Sequence, residues 1–332
     1  VVKRGMLFGV GAYVMWGLFP LYWPLLKPAG AVEILAHRVM WSLVAVAAVL
    51  AVRRTRIRNL GLRRGLLLAL AAVVISVNWG TYIYAVNSGQ TLESALGYFI
   101  NPLISVVFGV VIFRERLRPG QWAAVGLGTV AVIVLTVDYG RPPWIALVLA
   151  FAFGTYGLLK KFADMPSAES LAVETALLFL PALVFVLVLE GRGEASFGHH
   201  GMGHAALIVG AGLVTAVPLM LFNAAAIRLP MTAIGMLQYL APVLQFVIGF
   251  FVQHEEMPPS RWAGFLLVWL ALVTLTWDGV RAGRRKRCPK PPEEAKVPDV
   301  EPRIRGVLVA SGQLHRVGDG ARRGGHAGTG DG

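Results

Sequence analysis

The sequence predicts an all-α integral membrane protein of ten transmembrane helices, built as two inverted five-helix repeats. Three observations lead there: an apolar composition, a second copy of one long stretch, and an alternation of charge between loops. The 332 residues are 56% hydrophobic and only 15% charged, with a mean hydropathy of +0.64. A helix needs roughly 20 apolar residues to cross about 30 Å of hydrocarbon. Ten such runs are read, at 5–26, 32–52, 65–87, 95–113, 120–137, 143–160, 170–189, 205–227, 232–252 and 260–278.

The stretch Gly97–Asp138 recurs as Leu237–Asp278. Pro102 matches Pro242, Gly109 matches Gly249, Glu115 matches Glu255, Trp122 matches Trp262 and Asp138 matches Asp278, all at an offset of 140 without a gap. An internal repeat outranks any local reading. It divides the chain into a first repeat at 5–138, a second at 143–278 and a tail at 281–332. Five spans per repeat is odd, so the second copy enters the membrane from the opposite side. Inverted repeats supply two interchangeable states, which is the structural basis of alternating access.

The net charge of +13 raises the possibility of a nucleic-acid partner, but its distribution answers otherwise. Arg53, Arg54, Arg56, Arg58, Arg63 and Arg64 crowd the second loop, Arg114, Arg116 and Arg118 the fourth, and Lys160 and Lys161 the sixth; Arg281, Arg284, Arg285, Lys286 and Arg287 follow the last span. The odd loops hold only Lys27, Arg141, Arg192 and Arg261. This is the positive-inside pattern of a plasma (inner) membrane protein with both termini cytoplasmic, and no nucleic-acid partner is expected. Lys3 and Arg4 before an apolar run, with Ala29-Gly30-Ala31 beyond, resemble a signal peptide, yet the run has its own repeat partner and is read as a retained span. Cys288 is the single cysteine, so neither a disulfide nor a cysteine metal site is expected, and no cofactor is called for.

Taken in order, span one places Tyr13, Trp16 and Pro20 on one face, and the offset pairs Trp16 with Tyr156 and Pro20 with Lys160. Trp16 reads as a cavity wall or an interfacial anchor, and Lys160 as a lysine snorkelling to the inner surface. Span two carries Glu33, His37 and Arg38. Charges inside a span are costly unless paired, so the three are expected to partner one another, as a structural ion pair or as a gate whose histidine titrates near neutral pH. Span three sets Asn78, Tyr82 and Ala85 on one stripe with Trp79 beside it, and span eight repeats it with Asn223 next to Phe222. These amides either tie helices together or contact a solute.

Span four brings Tyr98, Asn101 and Pro102; span nine brings Gln238, Tyr239, Pro242, Gln245 and Gly249. Proline removes a backbone donor and kinks a helix, and matching interrupted spans in two halves point to a transport site, with a packing kink as the alternative. The Glu115 and Glu255 turns read as structural end pieces. Spans five and ten read as scaffold or as a homodimer face. The tail lacks the apolar surface to fold alone, and its basic cluster suits anionic lipid.

Ala12–Trp23 (AYVMWGLFPLYW), the Glu33, His37-Arg38, Trp41-Ser42 spacing, Asn78-Trp79 and GYFINPL from Gly97 together resemble EamA-type members of the drug/metabolite transporter superfamily, and within it the RarD proteins. The resemblance covers about residues 5–278 and is looser in the second half. It implies the EamA transporter fold, with a central cavity lined by spans one, three, four, six, eight and nine. The RarD name implies a link to chloramphenicol sensitivity without fixing a substrate.

The function expected is a secondary transporter of small metabolites or drug-like molecules, working as an exporter. Its substrate cavity would draw aromatic walls from Trp16, Trp79, Tyr82, Tyr98, Tyr156 and Tyr239, and amides from Asn78, Asn101, Asn223 and Gln238. Glu33, His37, Arg38, Pro102 and Pro242 are the gating and coupling candidates. The chain has no Walker A stretch, so a proton or counter-solute gradient is the expected drive. Deep carboxylates are not expected, since Glu33 and Glu174 are placed near span ends. Two other functions are weighed. An enzyme needs convergent acid, base or metal groups, and His199, His200 and His204 are read as lacking acidic or cysteine partners at metal spacing. A non-transporting membrane sensor or assembly subunit needs only the bundle.

Overall fold

The structure, a computed structural model, describes residues 2–54, 60–114, 116–229 and 231–287. Every regular element among the described residues is helical. Glu115, Cys288 and the tail 288–332, on which several expectations rest, lie outside them.

The first span is bent. Helix α1 (Val2–Gly17) meets α2 (Phe19–Tyr22), which continues as a 3-10 turn, Trp23–Leu26, at an angle of 42°. The apolar run read at 5–26 is thus a bent pair of helices, and proline is the reason. Pro20 and Pro24 lack the N–H groups that would bond the carbonyls of Trp16 and Pro20. Both carbonyls are satisfied instead by glutamines of the ninth segment: Gln245 Nε2 donates to Trp16 O at 3.2 Å and Gln253 Nε2 to Pro20 O at 3.1 Å.

Seven helices follow in order: α3 (Ala31–Val52), α4 (Leu62–Asn87), α5 (Thr91–Phe113), α6 (Pro119–Tyr139), α7 (Trp144–Ala163), α8 (Ser167–Gly191) and α9 (Gly201–Ala226). Each is long and apolar enough to cross a bilayer. Segment nine is not one helix. It comprises α10 (Met231–Leu237), α11 (Leu240–Val247) and a π-helical turn, Ile248–Val252. Here Pro242 sits in the first turn after the break, whereas α5 runs unbroken through Pro102. The last helix, α12 (Pro259–Arg287), is the eighth of full span length. It continues past the expected tail boundary at 281, because alanine, arginine and lysine are good helix formers.

The outer faces are apolar. On α4, Leu62, Leu66, Leu70, Val73 and Val77 are exposed, while Leu68, Ala71, Ala72, Ile75, Asn78 and Tyr82 are buried. α12 repeats the pattern, with Leu266, Leu270, Val273 and Trp277 exposed opposite Phe265, Val268 and Ala271. Continuous apolar stripes of this kind are a lipid-facing surface.

Helix packing is reciprocal between the halves. α4 lies against α7 and α1 against α9; α5 against α7 and α1 against α11; α3 against α9 and α4 against α8; α3 also meets α8, and α5 meets α11. Two ion pairs tie α6 to α12 head to tail. Arg118, before α6, reaches Asp278 late in α12 at 2.6 Å, and Arg261, early in α12, reaches Asp138 at the end of α6 at 3.1 Å. The two helices are therefore antiparallel, sharing a core that includes Leu135, Phe265 and Val268.

Small residues allow the closest crossings. A Cβ on Gly212 of α9 would lie 2.4 Å from the Trp41 carbonyl carbon of α3. Gly212→Ala is expected to lower the melting temperature by about 5 °C, as overpacking by about 1–3 kcal/mol does. Gly126→Ala, where nothing lies within 4 Å of the added carbon, serves as the control. Equal melting of the two variants would refute this tight crossing.

Candidate binding cavity

A cavity of about 440 Å³ lies among α1, α2, α3, α4, α5, α7, α8, α9, α10 and α11. Of the residues singled out from sequence, Trp16, Asn78, Trp79, Tyr82, Tyr98, Asn101, Tyr156 and Gln238 line it, as do Arg38, Pro102 and Pro242. An aromatic chain runs around the wall. Tyr98 meets Tyr82 at 5.7 Å and Phe153 at 5.9 Å, both edge-on, and Trp16 meets Tyr13 at 5.2 Å and Phe222 at 5.8 Å. Such walls with few polar groups suit a small organic ligand.

Asn78 combines the two roles weighed for it. Its Nδ2 donates to Leu149 O of α7 at 3.1 Å, and its Oδ1 accepts from the Tyr98 hydroxyl at 3.2 Å. It fixes the tyrosine while lining the space. By contrast, the side-chain oxygen of Asn101 is buried with no hydrogen-bond partner among the described residues, while Tyr82 and Gln245 lie beside each other. Polar atoms left open at a cavity wall mark where a ligand or water has to bond.

Two sequence candidates are elsewhere. Tyr239 faces an outer cleft with Phe99, Trp269 and Trp277. Asn223 is not in the lining; its neighbour Phe222 takes that position. The offset had paired Tyr82 with Phe222, so the register was the better guide than polarity.

The expected Glu33, His37 and Arg38 partnership is also corrected. Glu33 Oε1 accepts the backbone N–H groups of Ser196 at 2.7 Å and Phe197 at 3.1 Å. His37 stacks on Phe197 at 4.6 Å. Arg38 turns inward, its Nε donating to Thr215 Oγ1 at 2.9 Å. The cause is backbone satisfaction: a buried N–H without a partner is costly, and carboxylates meet that need. Glu93 likewise accepts Ile145 N at 3.0 Å while pairing with Arg141 at 3.1 Å. Glu255, expected to be structural, accepts the N–H groups of Thr91 and Leu92 at the start of α5.

A buried carboxylate does adjoin the cavity, contrary to expectation. Glu174 is 1% exposed. It accepts from Lys160 Nζ at 2.9 Å, Tyr156 OH at 3.0 Å and Ser170 Oγ at 2.6 Å. Lys160 also contacts Ser170 and lines the cavity. It is therefore a buried ion-pair member and not a snorkelling lysine. Helix α8 begins at Ser167, which places Glu174 two helical turns in, where the hydropathy reading had put a span end.

No group of three or more His, Cys, Asp or Glu side chains suited to a metal occurs among the described residues. His199 pairs with Glu190 at 2.9 Å, and His204 bonds Leu26 O at 2.9 Å.

The EamA-like transporter family matches this sequence at residues 3–137 and again at 142–277. The chain belongs to the EamA-like transporter family. Within that family it is of the RarD type: it is 60% identical over 289 residues to Protein RarD of Streptomyces exfoliatus, covering 86% of this chain and 92% of the relative. An uncharacterized transporter of Bacillus subtilis, YojE, is 41% identical over 86% of this chain and 97% of its own. A Pseudomonas aeruginosa relative called chloramphenicol-sensitive protein RarD is 30% identical over 85% of this chain and 97% of its own. A solved crystal structure shares the fold, with a TM-score of 0.56 at 18% identity over 85% of this chain and all of that one. This EamA protein is thus a multi-pass membrane protein of a transporter family.

Proposed function

We propose that this EamA protein is a secondary transporter that moves small metabolites or drug-like molecules by alternating access between two inverted five-helix repeats, and that it works as an exporter. One observation carries the reading: the cavity is lined in pairs across the repeats. Tyr13 and Phe153, Trp16 and Tyr156, Ile75 and Thr215, Trp79 and Leu219 all contribute, and so do Tyr82 and Phe222, Tyr98 and Gln238, Asn101 and Ala241, and Pro102 and Pro242. Each pair is separated by 140 residues. The reciprocal helix packing and the antiparallel α6–α12 pair support the same twofold relation between 5–138 and 143–278. A site on such an axis is open to either side in turn when one repeat rocks against the other.

In this reading the ten segments include the bent first and the broken ninth. The protein lies in the inner membrane with cytoplasmic termini, as the loop charges favour. A proton or counter-solute gradient drives it. The chloramphenicol-sensitive name of the Pseudomonas relative fits a drug-like solute among those handled.

The test is untargeted profiling of medium from cells lacking the protein, expressing it, or expressing Asn101→Ala. A compound that accumulates outside only with the intact protein is the expected result. Liposomes holding the purified protein then separate transport from a sensor or assembly role. Absence of any solute flux from them, with folded protein verified, would refute the transport reading.

A further inference from the structure

Among the described residues the cavity wall holds one cation without a counter-charge, and we infer from it that the solute is a small organic anion whose acidic group is bound by Arg38. This rests on the transport reading and narrows it. Arg38 is 3% exposed, and no carboxylate lies within ion-pairing distance of it among the described residues. The acid nearest in sequence, Glu33, is committed to the backbone of Ser196 and Phe197. The other cation of the lining, Lys160, is already matched by Glu174 at 2.9 Å. The lining therefore carries one uncompensated positive charge.

That charge is aimed. The guanidinium lies 4.1 Å over the Trp79 ring and 5.0 Å over Trp23, and Nε is held by Thr215 at 2.9 Å. Stacking and the threonine bond fix the plane of the fork, and Nη1 remains without a partner. A buried charge lacking an anion is among the most costly features a protein retains, and a planar fork suits carboxylate, phosphate or sulfonate oxygens. The open acceptor on Asn101 calls for an N–H or O–H donor on the same molecule. The aromatic walls call for an apolar or aromatic body.

Wild type and Arg38→Gln, each as full chain in nanodiscs, are equilibrated with a small-molecule extract of cells, washed, and the retained compounds identified by mass spectrometry. In parallel, tryptophan fluorescence follows titration with phenylacetate and with its neutral isostere phenylacetamide. Wild type is expected to retain organic anions and to prefer the acid over the amide by about tenfold or more. Arg38→Gln is expected to lose both, and Arg38→Lys to keep part. Should Arg38→Gln not fold, Thr215→Val keeps the charge and frees its aim, and is expected to weaken anion binding by about threefold or more. Retention of mainly neutral or cationic compounds by wild type, or an unchanged acid preference in these variants, would overturn the anion assignment while leaving transport standing. A folded wild type that retains nothing and binds neither probe would overturn both.

Discussion

Asn101→Ala is expected to reduce solute flux in liposomes about tenfold or more while leaving the folded yield near that of wild type. The two halves of this result have separate causes. The Asn101 side-chain oxygen is buried at the cavity wall with no partner among the described residues, so truncation breaks no bond of the resting fold. A solute that donates to that oxygen loses a hydrogen bond in a dry site, which accounts for about 1–3 kcal/mol and hence roughly tenfold or more in binding. Tyr98→Ala is expected to abolish flux more completely, because Tyr98 both lines the cavity and holds the orientation of Asn78. Tyr98→Phe separates these roles: it keeps the edge-on contacts with Tyr82 and Phe153 and deletes the bond to Asn78. Initial rates of solute uptake into liposomes at fixed protein density provide the measurement. Normal flux through both alanine variants would show that this cavity is not the solute path.

The sequence was most legible where chemistry repeats at a fixed distance. Offset 140 relates eight pairs of lining residues, and applied to Tyr13, Trp79 and Tyr82 it names Phe153, Leu219 and Phe222. Choosing by polarity instead selected Asn223, which sits one position away from the wall. Hydropathy located the membrane segments but not their breaks, because the bend at Leu18 depends on which distant groups donate to the freed carbonyls. Gln245 and Gln253 do so for segment one, across more than two hundred residues of sequence. The acids were least legible. Glu33 resembles an ion-pair or gating group in one dimension, yet it accepts backbone N–H groups of a distant segment, as Glu93 and Glu255 also do. Only tertiary packing reveals which amides need them.

Glu174 carries the second large prediction. Glu174→Ala is expected to destabilise the protein by about 3 kcal/mol, since removing one partner of a buried pair strands the other. Lys160 is only 19% exposed in its side chain, and Tyr156 and Ser170 would lose the same acceptor. Thermal melting in detergent checks the size of the effect. The stability loss alone does not reveal a transport role, so the partner is removed as well. In Lys160→Met combined with Glu174→Leu no charge is stranded, and most of the stability is expected to return, as buried pairs replaced by apolar groups often show. Flux then decides between two meanings of the pair. Recovery of flux together with stability would make Lys160 and Glu174 a structural clasp between α7 and α8. Continued loss of flux in the stable double variant is the result expected here, because Glu174 bonds both Tyr156 and Lys160, which stand at the cavity wall, and the apolar pair would leave neither position held in place. A clasp needs only shape, whereas a wall that meets the solute needs its polar atoms held where the solute can reach them.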